Sequence, residues 1–244
     1  MNIAEQRKAL IDDKYPLAAK YDPDWILENE MGCQCLWHVE DLVKGMELKP
    51  GMRVLDMGCG KAMTSIFLAK EFGCQVFAND LWISQHENWK RVCEAGVDDL
   101  VVPIRAEAHE LPYPNNFFDV IICINSYQFY GTAGNYFNDH LVGLLKSGGK
   151  IRMAVPGYQK EFSDGIPDAL IDHENEMHLY LHSVKWWNLY FKYCGTVNID
   201  ILDEFEGKGS ELALKWEPIV DRTNIMRDDN GENYTWIRIL LTKK

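Results

Sequence analysis

The residues of this 244-residue chain that could do chemistry gather first in Val54-Leu55-Asp56-Met57-Gly58-Cys59-Gly60-Lys61-Ala62-Met63. An apolar run ending in an acid, then two glycines opening a helical pattern, lets backbone come close to a ligand at the carboxyl edge of a sheet. A pyrophosphate-binding turn has a related look and wants an acid about 20 positions on for a ribose. Asp80 stands 20 residues past Gly60, so that spacing does not separate the two readings. The acid inside the turn does. Asp56 would repel a pyrophosphate, whereas it can accept hydrogen bonds from an ammonium group, directly or through water.

Histidines and cysteines offer a second chemistry. His178 and His182 stand four residues apart in a helical pattern and could share a ligand or a metal, or lie half-exposed beside a packed tryptophan pair. Trp186 and Trp187 point to different faces, so at most one reaches a pocket. The seven cysteines lack framework spacing, and Cys33-x-Cys35 is too tight for a zinc knuckle with no second pair to complete it. Buried free thiols and no resident metal are the expectation.

These residues must be positioned by an alternation of strands and helices. Helical periodicity from Ile3 to about Met46 is broken near Tyr15-Pro16 and Asp22-Pro23. Buried strands are predicted at Arg53 to Asp56, Gln75 to Ala78, Val101 to Ile104, Phe118 to Ile124 and Lys150 to Val155, with helices between, including one over Tyr136 to Leu145. That rhythm argues an α/β, doubly wound, mostly parallel sheet. Residues 157–195 break the rhythm with a long interval rich in His, Trp and Tyr, and strands return at Val197 to Leu202 and Tyr234 to Thr242. The expectation is one domain over 1–244: an N-terminal helical lid (1–46), a ligand-binding core (47–156), a helical insert after strand five (157–195) and C-terminal strands (196–244).

Four ordered blocks now carry a likeness. VLDMGCG, the acid of FAND, AEAHELPYPNNFFDVI and LLKSGGKIRM follow one another between about residues 45 and 155. In that order and spacing the chain resembles the class I S-adenosylmethionine-dependent methyltransferases of the small-molecule type. The resemblance implies a Rossmann-like seven-stranded fold and S-adenosylmethionine as cofactor. It places Asp56, Gly58 and Gly60 at the methionine end, Asp80 on the ribose hydroxyls and Leu81 over the adenine. Glu107 takes the family's Asp position at the adenine amino group, Ala108 offers a backbone amide, and Asn125 shapes the methyl-transfer site. The family's third glycine is Ala62 here, and a tighter helix start is expected from it.

The family has no universal catalytic residue, so His178, His182 and Asn125 are only candidates. Tyr15, Tyr21 and His38 in the N-terminal helices and Trp186 in the insert are candidates for the substrate side. A catalytically silent protein of the same fold is the alternative, which intact Asp56, Gly58, Gly60 and Asp80 argue against.

Composition narrows the partners. Lys and Arg total 25 against 37 Asp and Glu, a formal charge of -12. A field of that sign repels phosphate backbones, so a nucleic-acid substrate is not expected. No apolar stretch approaches the roughly 20 residues of a membrane span, and Met1 to Lys14 is too polar for a secretory signal. The expectation is a cytoplasmic enzyme acting on a small molecule, of oligomeric state the sequence leaves open.

Overall fold

Apolar runs become strands. In the computed structural model, which describes residues 1–171, 179–205, 209–220 and 225–244, β1 (Arg53–Met57), β2 (Gln75–Asp80), β3 (Val101–Arg105), β4 (Phe118–Ile124) and β5 (Leu145–Tyr158) run parallel. β6 (Val197–Glu204) and β7 (Tyr234–Lys243) complete a seven-stranded sheet in the order β3-β2-β1-β4-β5-β7-β6, with β7 antiparallel to both neighbours. This is the expected doubly wound, Rossmann-like arrangement. Successive side chains go to opposite faces. Val54, Val120 and Ile122 enter one core layer, while Leu55, Met57, Ile121 and Cys123 enter the other. Strands buried on both faces therefore read as continuous apolar runs. Strand order reverses between β1 and β4, and such a reversal opens a crevice at the carboxyl ends.

Three helices, α1 (Ile3–Leu10), α2 (Pro23–Asn29) and α3 (Cys35–Val43), precede the sheet. The break before α2 is chemical: the Asp22 carboxylate caps the Asp24 amide, and Pro23 supplies a preset first helical residue. α4 (Met63–Phe72) follows β1 and stops at Gly73 in a left-handed conformation. α5 (Gln85–Glu94) opens with a capping box between Ser84 and Glu87. After β5 come α6 (Asp168–Ile171) and α7 (Val184–Cys194).

The structure departs from the sequence pattern in four places. The stretch expected as a helix over Tyr136 to Leu145 is a wide turn over Phe137–Leu141 followed by a tight one over Val142–Leu144. Phe137, Leu141, Val142 and Leu144 are all buried. Phe137, Leu141 and Leu144 would share one face at 3.6 residues per turn but Val142 would not, and the changed winding buries it as well. β5 extends beyond Lys150 to Val155 at both ends, so Gly157 lies within the strand. Inside the 157–195 interval, α7 is a sheet cover: Trp187 and Phe191 are fully buried in the second layer. Finally, two helices, α8 (Gly209–Val220) and α9 (Ile225–Asp229), stand between the C-terminal strands. Leu212, Ala213, Trp216 and Ile219 of α8 bury one stripe in the first layer, a pattern interrupted in the sequence by Pro218.

Candidate active site

Beyond the carboxyl ends of β1, β2 and β4 lies an open cleft. Asp56, Gly58, Gly60, Asp80, Leu81, Glu107, Ala108 and Asn125 all line it. Residues distant in sequence meet there because parallel strands deliver their carboxyl ends to one edge.

The turn after β1 is held by its own backbone. The amides of Gly58 and Cys59 donate to the Asn79 carbonyl at 2.8 and 3.0 Å. The Gly60 amide donates to Asp80 Oδ2 at 2.8 Å, and the Ala62 amide to the Cys59 carbonyl at 2.9 Å. Asn88 Nδ2 donates to the Gly60 carbonyl at 2.8 Å. A turn that cradles phosphates keeps such N–H groups for its ligand; this one commits these four amides to the protein. Gly58 and Gly60 both have positive φ, and the space a Cβ would need is taken. At Gly58 it would overlap the Ser126 side chain, and at Gly60 it would come within 2.9 Å of Met31 Sδ. Ala62 also takes a left-handed conformation, with φ 62°. A glycine would adopt that conformation freely, whereas the alanine carries a strain of about 1–2 kcal/mol there. A tighter helix start is thus not what the substitution produces.

Two carboxylates dominate the electrostatics. Asp56 is buried, and burial lifts its carboxyl to about 7; the Ser65 hydroxyl, donating at 2.6 Å, opposes the rise, and the charge of Asp80 adds to it. Asp80, also buried, accepts from the amides of Gly60, Trp82 and Ile83 at 2.8–2.9 Å. Asn79 Oδ1, beside them in the cleft wall, is buried without a hydrogen-bond partner among the described residues. Such a set lacks counter-charge and wants donors. The one cation among the described lining residues is Lys61, whose ammonium is held by the Glu28 carbonyl at 2.7 Å. Glu107 is half-exposed and turned to His109, accepting from its amide at 2.8 Å with the ring nitrogen 2.9 Å away.

Residues 54–149 match the family described as "Methyltransferase domain". Over these residues the chain is similar to the class I S-adenosylmethionine-dependent methyltransferases that its four ordered blocks resemble. A sarcosine/dimethylglycine N-methyltransferase of Halorhodospira halochloris is 27% identical over 127 residues, covering 52% of this chain and 45% of that protein. A glycine/sarcosine/dimethylglycine N-methyltransferase of Actinopolyspora halophila is 24% identical over 198 residues, covering 80% of this chain and 34% of its own length. The chain thus spans less than half the length of these curated relatives. Among solved structures, a phosphoethanolamine N-methyltransferase 2 of Haemonchus contortus, in complex with phosphomonomethylethanolamine and S-adenosylhomocysteine, superposes with a TM-score of 0.73 at 19% identity. That superposition covers 98% of this chain and 60% of the other. At this identity the likeness is one of fold.

The candidates for the substrate side stand away from the cleft lining. Tyr15 is buried and stacked on Trp37 at 5.5 Å between ring centroids. Tyr21 packs on Phe67 and Trp25, its hydroxyl 3.4 Å from Glu71. His38 is a core residue between Phe205 and Trp236, where burial pushes its pKa down to about 3 and keeps it neutral. Trp186 stacks on the His182 ring at 3.7 Å, and His182 faces Glu161 at 3.5 Å. His178 lies outside the described residues.

Other side chains that the sequence pattern does not single out also line the cleft: Asn79, Trp82, Ser126, Phe129 and Tyr130. Trp82 follows the Asp80-Leu81 pair directly, and Ser126 follows Asn125, so position along the motif is the available signal. Ser126 Oγ donates to the Met57 carbonyl at 2.8 Å and sits 2.9 Å from the Tyr130 hydroxyl. From the N-terminal segment, Asn29, Met31, Cys33 and Cys35 reach the cleft. Burial pushes the Cys35 thiol up to about 12 and that of Cys33 well above its ordinary value, so both are neutral thiols and poor nucleophiles at neutral pH. Among the described residues no group of three or more His, Cys, Asp or Glu could hold a metal ion, and no helix is long and apolar enough to cross a membrane.

Proposed function

We propose that the protein binds S-adenosylmethionine in this cleft and transfers its methyl group to a small-molecule acceptor. The observation that carries the reading is a buried, acceptor-only pair, Asp56 and Asp80, set on a glycine turn whose own amides are consumed. A cationic amino acid end with a hydroxyl-bearing sugar supplies what that set wants; a pyrophosphate supplies the opposite. Bound there, S-adenosylmethionine supplies a methyl group activated by its positively charged sulfur.

The roles of the chain follow from its geometry. Asp56 accepts from the cofactor ammonium and is held ionised by it. Three amides fill three of the roughly four lone-pair sites on the Asp80 carboxylate, leaving capacity for about one ribose hydroxyl. Leu81 and Ala108 flank the base, with Glu107 beside it. Asn125 sits at the end of β4 with φ 54° and its amide bonded to the Ala154 carbonyl at 2.8 Å, which fixes the floor of the reaction space. The segment carrying Asn29 to Cys35 acts as the lid over this space and excludes water. Alignment and water exclusion are the main demands of an in-line displacement.

The test is calorimetric titration with S-adenosylhomocysteine. Binding at a dissociation constant on the order of micromolar, about -8 kcal/mol, supports the reading. A folded protein that does not bind refutes it.

A further inference from the structure

The mouth of the cleft is apolar and acidic at once. Trp82 is 69% exposed, Phe129 42% and Met31 39%, and all three line the cleft. The Trp82 and Phe129 rings stand 6.0 Å apart at 59°. Large apolar side chains left exposed at one place mark a binding surface.

Among the described lining residues no free cation balances the acids. Lys61 alone is positive there, and it is held by the Glu28 carbonyl. Arg105, next to the rim, donates to the Leu81 carbonyl at 3.0 Å. The chain segments that continue from this edge have the same sign. After β5 the described residues from Gln159 to Ile171 carry Glu161, Asp164 and Asp168 against Lys160, and the segment over the cleft carries Glu28 and Glu30 with no lysine or arginine before Lys44. A carboxylate or phosphate entering here would meet like charge and lose its water without finding a partner, a penalty that apolar packing on the rings does not offset. A protonated amine would be drawn in, and an ammonium beside exposed aromatic faces is attracted by the rings as well.

Resting on the proposed methyl transfer, we infer that the acceptor is an amine with an apolar or aromatic body and no anionic group, seated against the exposed faces of Trp82 and Phe129. In this the site differs from what a sarcosine or a phosphoethanolamine needs, since the first carries a carboxylate and the second a phosphate. The step balances without a protein base. The ammonium gives its proton to water on the way in; the nitrogen lone pair then forms the N–C bond as the methyl–sulfur bond breaks with its pair going to sulfur. The product leaves as a methylated ammonium.

The experiment uses the intact protein with S-adenosylmethionine, once S-adenosylhomocysteine binding has been measured separately; failure of that binding refutes the methyltransferase reading itself. Benzylamine and phenethylamine are compared with sarcosine and phosphoethanolamine, product being followed by mass spectrometry. Methylated arylalkylamine is expected, with kcat/KM at least a hundredfold above either anionic compound. Phe129→Arg should lower kcat/KM for the arylalkylamines at least tenfold and leave S-adenosylhomocysteine affinity within threefold. Equal or better turnover of the anionic compounds, or no turnover of either arylalkylamine by cofactor-binding protein, overturns the inference. An unchanged Phe129→Arg does so too.

Discussion

The turn between β1 and α4 and the stretch running from the end of β5 through α7 both follow strands whose carboxyl ends lie at one edge of the sheet, but their described residues are built on opposite terms. In the turn, each requirement is a backbone matter: left-handed residues at Gly58, Gly60 and Ala62, amides tied across strands, and no room for a side chain at Gly58. In the later interval the aromatic residues are side-chain packing. Trp187 and Phe191 cover the sheet, and Trp186, Tyr190 and His182 stack on one another outside the cleft. The difference teaches that a cofactor position can be written in a few fixed residue types, whereas an acceptor position is written in whichever side chains happen to face inward.

The largest effect expected from breaking the first region is at Gly58. Gly58→Ala drives a methyl into Ser126 at a positive φ, and overpacking plus backbone strain cost about 2–5 kcal/mol. Thermal melting should show the loss, and Ser126→Gly in the same chain should restore part of it. Next comes Asp80→Ala. In the proposed site its carboxylate would meet the cofactor while it collects three amides, and each charged hydrogen bond is worth about 1.5–3 kcal/mol. Affinity for S-adenosylhomocysteine should fall at least tenfold to a hundredfold, with a lower melting temperature as well; a variant binding as tightly as the parent would remove Asp80 from the site.

A smaller change sharpens the comparison with opposite sign. Ala62→Gly relieves a left-handed alanine, and stability should rise by up to about 1 kcal/mol in a denaturant titration, with the gain reduced by the extra freedom of glycine in the unfolded chain. The smallest effect belongs to the second region. His182→Asn removes a ring stacked on Trp186 but touches nothing in the cleft lining, so cofactor affinity should stay within about threefold, well under 1 kcal/mol. A larger loss would bring the later interval into the cofactor site.

How much of this was legible in the residues follows the same division. The sheet could be read because β1 and β4 are buried on both faces and leave unbroken apolar runs. The acids, glycines and Asn125 could be read because strand ends fix them at one edge. Trp82 and Phe129 could not, since an exposed aromatic in a sequence looks the same as a core one. Nor could His38 be told from a ligand: only the packing of Phe205 and Trp236 shows it to be a neutral core residue. α8 was hidden by Pro218, which the last turn of a helix tolerates when tertiary burial of Trp216 and Ile219 compensates.

The central claim is that a buried carboxylate at Asp56 awaits a cation. In the folded protein its carboxyl titrates at about 7, against an ordinary value of 3.8. Because that value is raised, the folded ligand-free protein holds a proton the unfolded chain has lost, so stability falls as pH rises from about 4 to about 7. Binding a cofactor ammonium to the ionised form reverses the demand: the proton must leave, and affinity grows with pH below about 7. The direct measurement is titration calorimetry with S-adenosylhomocysteine at pH 6 and pH 8 in buffers of different ionisation enthalpy. The account predicts binding about tenfold tighter at pH 8, with nearly one proton released per site at pH 6, and Asp56→Asn abolishing both. Affinity and proton release that do not change between the two pH values, in protein that binds the ligand, would contradict it.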